Sequence, residues 1–184
     1  SNIPGRKIFA VLAALPLVVF GSPRPHIVFL LTDDLGYNAP GYRNSDLHTP
    51  ALDELASEGL RIEEYYTYQF CSPTRGAFHT GRMPFRHLAV EHNLIPWSLP
   101  AGIDLRYDFL PLVLRRANYS THHVGKWHQG FVSPDFTPLG RGYDTTFGFL
   151  VGGEDHFTQD AARGGPACNF TGIYDLSRGN NDTG

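Results

Sequence analysis

The residues able to do chemistry fall in three short groups. Asp33-Asp34 leads into Leu35-Gly36. Cys71-Ser72-Pro73-Thr74-Arg75-Gly76 runs on to Thr80-Gly81-Arg82. Gly125-Lys126-Trp127-His128 forms the third. Adjacent carboxylates are hard oxygen donors of the kind a divalent cation takes. Arg75, Lys126 and His128 are the types that bind and polarise an oxyanion. Cys71 stands at the mouth of an expected helix: Pro73 suits a first helical turn, and Ser72 and Thr74 are capping types. The N–H groups of such a mouth, with Arg75 beside them, attract an anion and favour an ionised thiol. Two readings of Cys71 stand: a structural, disulfide-bonded cysteine beside a turn proline, or a nucleophile or its precursor in an anion site. The acid pair likewise reads either as a ligand set or as a solvated turn. A metal, an anion site and a nucleophile together point to ester cleavage at phosphorus or sulfur.

The groups sit where elements end. Ile27-Val28-Phe29-Leu30-Leu31-Thr32 is a short apolar, β-branched run, expected as a buried central strand delivering Asp33 and Asp34 at its carboxyl end. Tyr37 to Leu47 reads as loop. Thr49 is expected to cap a helix from Pro50 that packs through Leu52, Leu55 and Ala56 and stops at Gly59. Leu60 to Phe70 suits a strand or extended lead into Cys71. Met83 to Tyr107 reads as loop, Asp108 as the cap of a helix over Phe109 to Ala117, and Ser120 to Val124 as the strand delivering Lys126 and His128. From Phe131 onward the pattern is irregular, and beyond Gly152 it is polar and glycine-rich.

Composition narrows the class. The 184 residues allow one domain of ordinary size, and 41% apolar content is enough for a core. A net charge of −3 excludes a general nucleic-acid binder. Nine histidines show no zinc-ligand spacing and read as surface or core residues. Arg6-Lys7, the uncharged run Ile8 to Phe20 and the small Gly21-Ser22 read as a secretory signal peptide over residues 1–21. The run is short for a stable membrane span, and an uncleaved anchor is the other reading. Three sequons, at Asn118, Asn169 and Asn181, fit the secretory route as glycosylation sites. Cys71 and Cys168 permit at most one internal disulfide.

Five pieces in order, Asp33-Asp34-Leu35-Gly36, Thr49-Pro50-Ala51-Leu52-Asp53, Cys71-Ser72-Pro73-Thr74-Arg75, Thr80-Gly81-Arg82 and Gly125-Lys126-Trp127-His128, make roughly residues 25–160 resemble the sulfatase family. Gly142 to Phe149 and Gly153-Glu154-Asp155-His156 look most like its arylsulfatase B branch, which includes arylsulfatases I and J. The resemblance implies an alkaline-phosphatase-like α/β fold, a mixed sheet between helices, with residues 25–184 as the N-terminal part of the catalytic domain. It implies that a formylglycine-generating enzyme oxidises Cys71 to formylglycine in the endoplasmic reticulum. The hydrated aldehyde would attack the sulfur of a sulfate ester, on an aryl sulfate or a sulfated N-acetylgalactosamine glycan, and then expel sulfate. Asp33, Asp34 and modified Cys71 would bind one Ca²⁺. Arg75 would hold the formylglycine hydroxyl, Lys126 would contact sulfate, and His128 would position or deprotonate the modified side chain. The implied localisation is the secretory pathway, lysosomal or secreted.

The sequence also departs from the family pattern. A second Asp-Asn metal pair, a further catalytic histidine and a second sulfate-binding lysine come from later sequence in sulfatases, and their motifs do not follow Gly152. Asn38 stands for a frequent acid, Gln129 for a frequent Leu, and the Arg86–His92 segment lacks a common glycine. Hence a second reading: a truncated, inactive fragment acting at most as a binding or regulatory product. A phosphatase or phosphodiesterase of the same superfamily is a third, disfavoured because those relatives use Ser or Thr with two zinc ions.

Overall fold

A computed structural model of the chain describes residues 24–87, 95, 100–153, 157 and 176–180. The chain divides into two units, Ser1–Gly36 and Tyr37–Gly184. The expected signal segment over residues 1–21, Cys168 and the sequons at Asn169 and Asn181 lie outside the described residues.

In the first unit the expected central strand does not form. Residues 27–32 join no ladder, and Val28 is 92% exposed. An apolar run becomes a buried strand only when neighbours supply both hydrogen-bond partners and a covering layer. The three-stranded sheet of this chain is assembled from other residues. Asp33 and Asp34 follow the run as exposed residues, and Asp34 takes a left-handed backbone (φ 52°).

In the second unit, helix α1 spans Pro50–Glu58. Proline at its start and Gly59 at its end behave as expected, the Gly59 N–H closing on the Leu55 carbonyl at 2.9 Å. Thr49 occupies the cap position without capping. Its hydroxyl instead donates to Asp53 Oδ1 (3.0 Å) and accepts from the Gly41 N–H (2.6 Å), so it ties the preceding loop to the helix. The expected packing face stays open, with Leu55 66% exposed. Residues 60–70 form no strand, and Leu60, Ile62, Tyr65 and Tyr66 are exposed.

Helix α2 spans Cys71–Thr80 and ends on Gly81 in the left-handed conformation (φ 64°). The four-residue α3, Pro84–His87, falls where the proline content reads as loop. Helix α4 spans Leu110–Arg116, capped in position by Phe109 and not by Asp108, which pairs with Arg116 at 2.7 Å. Proline at position 111 sets the start, since it fits only the first turn. Among the described residues no helix is long and apolar enough to cross a membrane.

The sheet orders its strands β1-β2-β3, with β1 at His122–Val124, β2 at Thr145–Phe149 and β3 at Leu176–Asn180. β1 pairs parallel to β2, with Val124 opposite Phe147, and β2 pairs antiparallel to β3. Periodicity missed β2 because Gly148 interrupts it. A Cβ at Gly148 would run into the Gly125 backbone, so glycine there is what lets the chain at the end of β1 approach closely. Ile95, Ile103, Phe109 and Trp127 form the buried core, with Ala101, Tyr107, Tyr143 and Leu150 packed against it. Parallel pairing, helices and a core between them make an α/β architecture.

Candidate active site

The site is built at the carboxyl end of β1. Beyond Val124 the chain keeps pairing with β2: the N–H groups of Gly125, Trp127 and His128 donate to the carbonyls of Phe147, Phe149 and Leu150 at 2.9–3.0 Å. Trp127 is fully buried, its indole N–H donating to the carbonyls of Gly130 (3.0 Å) and Phe136 (2.9 Å). An anchored tryptophan between them leaves Lys126 and His128 as the half-buried members of the turn. His128 has φ 52° and Gly130 φ 105°. A Cβ at Gly130 would lie 2.5 Å from Gly102 Cα, so the turn has one sterically permitted path. Asp34 and His128 are two of the three non-glycine residues with positive φ among the described residues, the third being Asn118. Such conformations concentrate where a side chain must be aimed.

Cys71 is the first residue of α2, half-buried, with a free thiol. The cap position belongs to Phe70, and the two expected capping residues do other work. Ser72, fully buried, accepts the Ile95 N–H on Oγ (3.3 Å), and Thr74 Oγ1 donates to the Tyr68 carbonyl (2.8 Å). Ile95 also presents its own carbonyl to His128 Nε2 at 3.0 Å. A carbonyl only accepts, so Nε2 carries a hydrogen and donates it to Ile95. Gly152 lies on the same ring, and a Cβ there would come within 2.6 Å of His128 Cε1.

Arg75 joins the cysteine helix to the turn, its Nη1 donating to the Lys126 carbonyl at 2.7 Å. One helical turn on, His79 is buried among Phe78, Phe109, Trp127 and Tyr143, stacked on Phe109 at 5.3 Å. Burial pushes its imidazole down to about 3, opposed by the hydrogen bond to the Arg75 carbonyl and reinforced by the charges of His123, Arg75 and Arg141. Burial likewise takes His123, edge-on to Trp127, to about 4. Burial pushes the Tyr143 hydroxyl up to about 12. These histidines were placed among surface or core residues from sequence. His79 was legible as the residue four after Arg75, on the same helix face.

The structure thus brings Cys71, Arg75, Lys126 and His128 into one unit, three of them linked by the bonds above through Ser72, Ile95 and the Lys126 carbonyl. Asp33 and Asp34 belong to the other unit. Among the described residues no three His, Cys, Asp or Glu side chains gather as a metal site. Two adjacent aspartates match calcium in donor chemistry and fall short in number, since at most four oxygens face a demand of six to eight. A cleft of about 510 Å³ lined by Arg115, Asn118, Tyr119, Ser120, His122, Asp144 and Thr145 includes none of the candidate site residues.

A parallel strand end carrying a lysine and a histidine, tied by an arginine to a cysteine-headed helix, defines an α/β protein with a cluster of basic side chains beside a cysteine. The model of the sulfatase family matches residues 25–176. The chain belongs to the sulfatase family. It is 40% identical over 163 residues to Arylsulfatase J of Mus musculus, covering 88% of this chain and 26% of that protein. It is 39% identical over 150 residues to N-acetylgalactosamine-6-sulfatase of Rattus norvegicus, covering 77% and 28%. The solved structure of Ps i-CgsB in complex with k-i-k-neocarrahexaose superposes with a TM-score of 0.63 at 36% identity, over 68% of this chain and 28% of that one. The chain therefore spans about a quarter of the length of these relatives.

Proposed function

We propose that these residues form part of a sulfuric ester hydrolase acting on sulfated glycans, with N-acetylgalactosamine sulfates as the substrate class. The observation that carries this reading is the Arg75 Nη1 to Lys126 carbonyl bond of 2.7 Å, which joins the cationic residue of the cysteine helix to the Gly-Lys-Trp-His turn. Relatives named for arylsulfatase and N-acetylgalactosamine-6-sulfatase activity support the substrate class.

Cys71 is the residue to be converted to formylglycine by a formylglycine-generating enzyme, and its free thiol at the start of α2 suits that change. The converted group supplies a hydrated aldehyde hydroxyl as nucleophile. Arg75 orients the start of α2 against the turn and adds positive charge there. Lys126, on a backbone fixed at its carbonyl, offers its ammonium group to a sulfate oxygen. His128, held at Nε2 by Ile95, can move a proton at Nδ1. Asp33 and Asp34 are the carboxylates that would hold Ca²⁺, which would supply positive charge to the chemistry, and further oxygens must complete its shell. The secretory route, lysosomal or secreted, follows from the leader-like residues 1–21, and Asn118, exposed at the end of α4, is a glycan acceptor together with Asn169 and Asn181.

The absence of a third metal-ligating side chain beside the acid pair among the described residues supports a second reading, that of a catalytically inactive product. Two measurements test the pair. Mass spectrometry of the Cys71 peptide from cells that make formylglycine is expected to show the aldehyde, and an unmodified thiol throughout would refute the sulfatase chemistry. Purified residues 1–184 are expected to turn over little aryl sulfate, and robust turnover would refute the inactive reading.

A further inference from the structure

Gln129 follows the Gly-Lys-Trp-His turn and is 1% exposed. Its side-chain amide lies 3.0 Å from Nδ1 of His79, itself 7% exposed. The same Nδ1 is 2.9 Å from the Arg75 carbonyl, and Nε2 is 2.8 Å from the Tyr143 hydroxyl. The carbonyl can only accept, so Nδ1 carries hydrogen and Nε2 accepts from Tyr143. An N–H of Gln129 facing that Nδ1–H would oppose it. When the two amide atoms exchange places, the amide oxygen accepts from Nδ1–H and the NH2 takes the buried position that has no partner among the described residues. The proton count thus makes one chain: Tyr143 O–H to His79 Nε2, and His79 Nδ1–H to both the Arg75 carbonyl and Gln129 Oε1.

We infer that Gln129 and His79 act together as positioning residues that hold Arg75, and with it the start of α2, in register with Lys126 and His128. The geometry gives two parallel ties. Arg75 and His79, four apart on one helix face, reach Lys126 and Gln129, three apart on the turn. An apolar side chain at position 129 would have no group to offer His79, so each polar side chain is matched to the other. Removing His79 leaves the Gln129 amide buried without that partner, and removing Gln129 leaves His79 held by the Arg75 carbonyl and Tyr143 alone, whereas replacing both by apolar groups is closer to neutral. This inference rests on the sulfatase reading only for what the positioned groups bind.

The test is a double-mutant cycle on the whole chain, read by ¹⁵N NMR well below the melting temperature. In the unsubstituted protein His79 is expected as the Nδ1–H tautomer, with slow exchange of the Arg75 guanidinium hydrogens. Gln129→Met and His79→Leu are each expected to speed that exchange by about tenfold, the factor that one lost hydrogen bond gives. The pair H79L/Q129M is expected to return it to within a few-fold. Unchanged Arg75 exchange in either single variant, or simple addition of the two effects in the double variant, overturns the inference. Should Q129M not fold, Tyr143→Phe serves. It frees the ring tautomer and is expected to raise Arg75 exchange in the same direction, and no change overturns the inference too. Sulfate titration separates the two readings: a chain that shows the cycle and binds no sulfate refutes the anion site and leaves the positioning pair standing.

Discussion

Lowering the pH from 7 to 5 tests the aromatic core directly. His79 and His123 are buried, and burial holds them near 3 and 4, against an ordinary value of 6.5. Both shifts are depressions, so the folded state resists protons that the unfolded chain accepts. Stability is full above about pH 6.5 and is lost as pH falls towards the folded values. Each histidine costs about 1.4 kcal/mol per pH unit inside that window. From pH 7 to 5 this integrates to about 2 kcal/mol apiece, hence about 4 kcal/mol together, a large share of an ordinary domain's 5–15 kcal/mol. His87, also depressed by burial, shifts the result the same way. Urea denaturation at the two pH values is the assay, with a midpoint expected to fall by about 2 M. His79→Gln should remove about half of the pH dependence. A midpoint that stays constant from pH 7 to 5, or unfolding that takes up less than one proton at pH 5, would refute the assignment of both rings as buried and neutral. An acidic lumen would take the chain towards the weak side of this window.

Other outcomes follow from single positions. Trp127→Ala removes a fully buried side chain with both its carbonyl bonds and should cost about 3–5 kcal/mol in chemical denaturation. Gly152→Ala places a methyl group against the His128 ring and should shift the His128 ring resonances while leaving those of Phe109 unmoved. Gly81→Ala forces a left-handed backbone on alanine at the end of α2 and should cost about 1 kcal/mol. Calcium titrated into the chain should bind no tighter than millimolar, because the acid pair offers at most four oxygens, and Asp34→Asn should weaken even that; micromolar binding would show a completed shell.

Much of the second unit was readable from local rules. Pro50 and Gly59 bound α1, because these signals depend on residues near in sequence, and the strand expected over Ser120 to Val124 forms at His122–Val124 against β2 and delivers the Lys126–His128 turn. Capping was misread at Thr49, Ser72, Thr74 and Asp108. Each is a capping type, and each spends its polar atoms on another partner: Thr49 on Asp53, Thr74 on the Tyr68 carbonyl and Asp108 on Arg116 nearby, and Ser72 on the distant Ile95. The run at 27–32 failed for a related reason, since apolar alternatives do not make a strand until other strands receive them.

The order and identity of the motif residues alone determined the family, the nucleophile candidate at Cys71 and the cationic set of Arg75, Lys126 and His128, because those depend only on which groups stand at which spacing. Tertiary structure decided which atoms meet. It tied Arg75 to the Lys126 carbonyl across 51 positions, set the proton of His128 on Nε2 through Ile95, and drew Gln129 and His79 into one buried chain. Hydrogen bonds across such separations follow from packing around Trp127, and packing is a property of the folded core that no window of the sequence contains.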